Sequence, residues 1–347
     1  MSPAGWEAQL DQTIPAGMGE ASVPGVIVGV WKPGQAYTRA FGVRDSSTGE
    51  PMTTDLSMRI GSVTKTFTTT AILQLADQGR IGLDDPVCRY VPGAPNGDQV
   101  TIRELAGMRS GLYDYSVHTE PPAPGDESRQ YTPEELVAIA ASHPPVFPPN
   151  DRFDYNNTNT VLLGLVVQNA SGQSLSDYIR DHITRPLDMQ HTLLPVGAEF
   201  PSPHAQGYTK RANGQIADAA DWNTSWGWAA GAMISTLNDM RIWAPSLATG
   251  ALLSPATRAE RDKFLLAPSE GKGALYGLGL ENQNGWIGHN GNLDGYQSYV
   301  YYLPPEDTTL IMLVNTNVEV LGVWNFFTKI ANIVSPAHTW PPPPDEV

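Results

Sequence analysis

Strand-forming apolar runs stand near both ends of this chain, with helical patterns between them, and that arrangement limits the fold more than any other feature. Val26 to Trp31 and Tyr37 to Val43 are rich in β-branched, aromatic and other apolar residues, and the Lys32-Pro33-Gly34-Gln35 stretch between them has the composition of a hairpin turn. Far along the chain, Gln297 to Leu303 and Thr309 to Val314 repeat the pattern around Pro304-Pro305-Glu306-Asp307. Two further segments, around Trp6 to Ile14 and from Val320 to Val334, have helical length and suit covering one face of a sheet.

Between these ends the signal is helical. Thr64 to Gln78 carries Phe67, Ala71, Leu75 and Gln78 at helical spacing, and Gly79 is a C-terminal stop. Thr160 to Asn169 ends at Ser171-Gly172, and Pro133 to Ala141, Leu175 to Ile183 and Leu237 to Ala248 are further helices, joined by loops such as Glu120 to Gly125. The expected class is α+β: an antiparallel sheet from both chain ends flanked by helices, with a mainly helical inserted domain. Residues 1–61 and 270–347 supply the sheet domain and 62–269 the helical one, with the active site in the cleft between them. The tail Pro341 to Val347 is expected to be extended.

Composition excludes several classes of function. The 347 residues are 41% hydrophobic and 16% charged, which is globular rather than disordered. A formal net charge of -15 opposes nucleic acid and anionic membrane surfaces as partners, so a small molecule is expected instead. Cys88 is the only cysteine, which rules out an internal disulfide. No apolar stretch is long enough to span a bilayer, and Met1 to Ala21 lacks the basic start and apolar run of a secretory signal. The protein is expected to be secreted or held in the cell envelope if such a signal has been removed, and cytoplasmic otherwise.

Three segments carry chemistry. Ser62-Val63-Thr64-Lys65 places a hydroxyl and an amine three residues apart at a helix start, on one face of the turn. A buried Lys65 with a lowered proton affinity serves as a base for Ser62, and Ser62 or Thr64 caps the helix. A second Ser-x-x-Lys, Ser269-Glu270-Gly271-Lys272, lies among Pro268, Gly271 and Gly273 and reads as a solvated loop. Asp154 to Asn159 brings Tyr155 and Asn157 to a loop-to-helix junction, where a phenol can shuttle a proton and an amide can donate and accept. Gly285 to Gly295, just before a C-terminal strand, contains His289, Asn290, Gly291 and Asn292; its glycines permit close backbone approach to a ligand. A backbone N–H from there, opposed to that of Ser62, forms an oxyanion hole.

In this order the segments resemble the serine β-lactamase and penicillin-binding D-peptidase family, most closely the actinomycete-type D-Ala-D-Ala carboxypeptidases. Ser62 to Lys65, Tyr155-Asn156-Asn157 and His289-Asn290-Gly291 match its three motifs. The resemblance implies Ser62 as acyl-forming nucleophile, Lys65 as its base, Tyr155 as proton shuttle and His289 as an electropositive or hydrogen-bonding element. It also implies the Ser62 and Asn292 amides as oxyanion donors and Trp226 as an aromatic wall of the substrate cleft, and it requires no metal or nucleotide cofactor. Asn157, Asn290, Gly291 and Glu281 complete the candidate substrate-binding set.

One departure bears on the substrate. The resembling carboxypeptidases meet a terminal carboxylate with a hydroxyl in the third motif and an arginine on the preceding strand. Here those positions hold Asn290 and Glu281, and no Lys or Arg occurs from Gly273 to Thr328. An inward-pointing Glu281 would repel a carboxylate, unless Arg109 or Arg241 supplies the cation. The expected activity is therefore acyl-enzyme hydrolysis of a small ester, amide or D-amino-acid peptide. The alternatives are a D-Ala-D-Ala carboxypeptidase proper and a penicillin-binding sensor that acylates without turnover, and β-lactams are further candidate ligands.

Overall fold

The computed structural model describes residues 5–120, 122 and 125–343. Part of the Glu120 to Gly125 loop and the last four residues of the tail lie outside that range. Nine strands form one antiparallel sheet: β1 (Gly25–Lys32), β2 (Gln35–Asp45), β3 (Glu50–Pro51), β4 (Leu265–Leu266), β5 (Leu275–Tyr276), β6 (Glu281–Gln283), β7 (Trp286–Leu293), β8 (Tyr296–Leu303) and β9 (Thr308–Val314). Their spatial order is β3-β2-β1-β9-β8-β7-β6-β5-β4. The two ends of the chain meet where Val26 pairs with Val314 and Val30 with Leu310.

Both faces of the sheet are covered, so its central strands are apolar throughout rather than alternating. Val26, Val28, Val30, Leu310, Met312 and Tyr301 pack toward α1 (Trp6–Glu20) and α5 (Val320–Val334). Residues of the opposite parity, Ile27, Ile311, Leu313 and Val300, face α4 (Leu237–Thr249) and the helical part of the chain. Helix α5 buries Val323, Phe326, Phe327, Ile330 and Val334, spaced three and four apart, each contributing about 1.5–3 kcal/mol of transfer free energy. The larger core runs without a break from Ile27 and Leu313 into α2 (Thr64–Asp77) and α3 (Asn157–Ser171).

Several local expectations shift. Helix α1 continues past Ile14 through Pro15 to Glu20, and α3 begins at Asn157 rather than Thr160, with Asn156 accepting the Thr158 amide as its cap. Leu175 to Ile183 is α-helical only to Ile179 and continues as a wider turn. The third chemical segment does precede a strand, β8, and Trp286–Leu293 within it is a strand as well, its glycines notwithstanding. Among the described residues no helix is long and apolar enough to cross a membrane.

Candidate active site

Ser62 lies in a single 3-10 turn, Gly61–Val63, between the short strand Met58–Arg59 and α2. Neither Ser62 nor Thr64 caps that helix; the Thr64 hydroxyl instead accepts the Met233 amide at 3.1 Å. Gly61 takes a positive φ of 51°, which turns the chain sharply ahead of the serine.

Lys65 is fully buried, and its Nζ donates to Ser62 Oγ at 2.9 Å, Asn157 Oδ1 at 2.7 Å and the Ala230 carbonyl at 2.9 Å. Burial lowers its pKa to about 7, opposed by the negative fields of Asp114, Glu120 and Glu270. The three donated bonds belong to the ammonium form; the neutral amine, a large fraction near pH 7, keeps two N–H for Asn157 and Ala230 and turns its lone pair to the Ser62 hydroxyl, whose proton it can take. Asn157 is itself oriented, its Nδ2 donating to Ser116 Oγ at 3.1 Å and its backbone amide to Asp114 Oδ2 at 3.2 Å.

Tyr155 presents its ring 4.8 Å from Lys65 Nζ, and its buried hydroxyl lies toward Ser62 without a well-formed hydrogen bond to any described residue. Burial raises its pKa well above the ordinary tyrosine value, with Ser62 as a nearby opposing influence, so the group is a phenol rather than a phenolate.

Strand β7 closes the site from the sheet side. A methyl at Gly291 would lie 2.1 Å from the Ile60 carbonyl oxygen and 2.5 Å from Ser298 Oγ, which donates to that same carbonyl at 2.8 Å. The glycine thus admits this protein's own backbone. A methyl at Gly61 would stand 2.8 Å from the Asn292 amide nitrogen and 3.0 Å from its carbonyl oxygen, so the β7 backbone at Asn292 lies against the turn carrying Ser62.

Ser62, Tyr155, Asn157, Trp226 and Asn292 line one cavity of about 150 Å³ together with Gly231 and Glu120. His289 does not line it. It is fully buried behind Tyr155, with ring centroids 6.0 Å apart. Its Nδ1 lies 2.6 Å from the Asn290 carbonyl, which fixes the proton there and leaves Nε2 to accept from Tyr276 at 3.2 Å. Burial and the Lys65 field lower its pKa to about 3. Of the two roles expected of His289, electropositive or hydrogen-bonding, these contacts and the lowered pKa fit the second.

Glu281 also lies outside the cleft. It is buried beneath His289, its Oε2 accepting from Tyr301 at 2.6 Å and Gln283 at 3.2 Å, and desolvation pushes its pKa up to about 8. Asn290 and Gly291 line a neighbouring cavity rather than that of Ser62. Arg109 reaches toward the Leu266 carbonyl and Arg241 lies over the Trp31 ring; neither lines the Ser62 cavity.

Sequence reasoning missed two acids. Glu120 enters the Ser62 cavity, where its carboxyl has no ion pair or hydrogen bond among the described residues; desolvation and the fields of Asp294 and Asp114 push its pKa up to about 8. Glu270, from the loop read as solvated, stands near enough for mutual influence with Lys65. Only the second Ser-x-x-Lys marked that loop, and nothing in the sequence marked Glu120.

The beta-lactamase family model matches residues 10–325. A D-stereospecific amidohydrolase from Streptomyces superposes with a TM-score of 0.81 at 30% identity over 89% of this chain and 94% of that one. The D-amino acid amidase of Ochrobactrum anthropi SV3, complexed with L-phenylalanine amide, gives 0.84 at 26% identity over 95% and 100%. Protein flp of Staphylococcus aureus strain MW2 is 27% identical over 94% of this chain and 67% of its own length. With a Ser-x-x-Lys turn, a Tyr-x-Asn junction and a glycine-bearing strand set around one cleft and the family pattern running through all three, this chain belongs to the beta-lactamase family.

Proposed function

We propose that this protein is a serine amidohydrolase that cleaves the amide or ester of a D-amino acid bearing a free α-ammonium group, through an acyl-enzyme on Ser62. The observation that carries the reading is Glu120, an acid inside the Ser62 cavity that makes no ion pair among the described residues and feels Lys65 only at a distance. A substrate ammonium would draw Glu120 into its ionised form and pair with it, whereas a free terminal carboxylate would push the proton affinity of Glu120 up further and gain no ion pair from it. Likeness to enzymes described as a D-stereospecific amidohydrolase and a D-amino acid amidase supports the same class and the D configuration.

In this mechanism the neutral Lys65 amine takes the Ser62 proton as Oγ attacks the carbonyl carbon. The developing oxyanion is received by the backbone N–H groups of Ser62 and Asn292. Lys65 passes its proton through the Tyr155 phenol to the leaving nitrogen, the C–N bond breaks and ammonia or an amine departs. Water then attacks the Ser62 ester by the reverse path, releasing the acid and restoring the serine. His289 holds Tyr276 and the β7 backbone in place and carries no charge.

The test compares kcat/KM for D-phenylalanine amide, its N-acetyl derivative, a short-chain p-nitrophenyl ester and a D-Ala-D-Ala peptide. D-phenylalanine amide should be cleaved at least tenfold, roughly, better than its N-acetyl form. Glu120→Gln should erase that difference while leaving the ester as the better substrate of the variant. A clear preference for the D-Ala-D-Ala peptide, or indifference to N-acetylation, would overturn the reading.

A further inference from the structure

A second cavity of about 150 Å³ opens beside the first, and Asn292 lines both. Its walls include Glu270, Asn290 and Tyr299 together with Leu321 and Trp324 of α5. Leu321 is 44% exposed, on the face of α5 that also presents Asn325 and Lys329, while Trp324 is packed edge-on to Tyr299. The compartment therefore has an aliphatic and aromatic lining with one carboxylate. Among the described residues that carboxylate has no basic partner; its one side-chain hydrogen bond comes from Ser269 at 3.2 Å.

The two acids line different cavities. Glu120 shares its cavity with Trp226 and Gly231, and Glu270 shares the other with Asn290 and α5. Each influences Lys65, yet neither figures in the surroundings of the other. Glu270 also bears on Tyr155, the residue placed to protonate a departing nitrogen, whereas Glu120 does not.

The geometry points to the compartment between β7 and α5 as a leaving-group subsite for an amine with an apolar stem and a second, cationic nitrogen. This rests on the reading of Ser62 as the nucleophile of an amide hydrolase, and goes beyond it by assigning the departing half of the substrate. The scissile nitrogen leaves as an amine after taking the Tyr155 proton; its methylene stem lies on Leu321 and Trp324, and its distal ammonium pairs with Glu270. Such an ammonium next to an indole also gains a cation–π contribution. Desolvation raises the Glu270 pKa to about 7, so the pair is strongest above that value.

The experiment uses two isosteric substrates at pH 8.5, D-phenylalanine 4-aminobutylamide and D-phenylalanine pentylamide, with D-phenylalanine amide as reference. The wild-type enzyme should favour the aminobutylamide in kcat/KM by about tenfold or more, and Glu270→Gln should bring the ratio of the two near unity. Because both substrates share one acyl half, the ratio is insensitive to any effect of the variant on Lys65. Leu321→Ser, at an exposed position that tolerates a polar side chain, should raise KM for both alkylamides relative to the reference. If the reference amide is cleaved while the wild-type ratio is near one, or if Glu270→Gln leaves a tenfold ratio intact, the subsite is wrong and the amidohydrolase reading stands. If none of the three amides is cleaved while the ester is, the amidohydrolase reading fails and the subsite fails with it.

Discussion

Asn157 Oδ1 stands 2.7 Å from Lys65 Nζ, closer than Ser62 Oγ at 2.9 Å, so the lysine is aimed by an uncharged acceptor rather than a carboxylate. A carboxylate in that place would hold the lysine protonated; the amide orients it and leaves its proton affinity to burial. Asn157→Asp should therefore move the acid limb of the kcat/KM profile upward by about one pH unit or more from its wild-type position near 7. An unchanged limb in a pH-rate measurement would show that Lys65 is not the base.

The same burial makes stability depend on pH. The folded pKa of Lys65 lies near 7, below the ordinary 10.5, so across that interval the unfolded chain binds more protons and wild-type stability rises with pH. Lys65→Met removes this dependence. Between pH 6 and 9 the wild type should gain on the variant by roughly 2.5 kcal/mol in urea unfolding. Parallel stability curves would contradict a lysine desolvated in the native state.

His289 should stay neutral throughout the working range. Its pKa is lowered to about 3, so from the unfolded value near 6.5 downward the unfolded chain takes up protons that the native one does not, and this residue contributes to loss of stability in acid. Nitrogen NMR of the folded protein should show one unchanged tautomer, protonated on Nδ1, from pH 8 to pH 5. Titration near pH 6 would restore the electropositive role.

Gly291→Ala should be far more damaging than a surface glycine change. Its methyl would meet the Ile60 carbonyl and Ser298, forcing β7 away from the serine turn. A loss of about 1–3 kcal/mol in stability is expected, with a fall in kcat larger than any rise in KM, because oxyanion geometry suffers most. Crystallography of the variant would show the Asn292 amide displaced from Gly61; an unmoved amide with full activity would count against the oxyanion assignment.

Substrates with and without an amine should differ in pH profile. A neutral ester depends on Lys65 alone and should rise through pH 7 to a plateau. A D-amino acid amide also needs its own ammonium, which is lost at higher pH, so its kcat/KM should be bell-shaped. Matching profiles for the two would argue against pairing with Glu120.

What could be read from the sequence follows physical scale. The strands β1, β8 and β9 were legible as short unbroken runs of β-branched, aromatic and aliphatic residues bounded by turn residues, and the helix α2 by its length and helical spacing. Ser62, Lys65, Tyr155 and Asn157 were legible because their contacts are made at element starts marked by local composition. Strand β7 was not, since the glycines that let it pass the Ile60 carbonyl are poor strand formers. Glu120 and Glu270 were invisible for a different reason. Each lies in a loop without periodicity, and only tertiary packing brings its carboxylate to the cleft.

The pairing of β1 with β9 also sets the order in which this protein can be made. Val26 finds its partner Val314 only after every residue between them has left the ribosome, and β7 reaches β1 only through β8 and β9. A nascent chain that already displays Ser62, Lys65 and Tyr155 still lacks the strand that brings Asn292 to the serine. The cleft is thus completed only through contacts far apart in the sequence, and sheet closure of that kind belongs to the slow class of folding reactions.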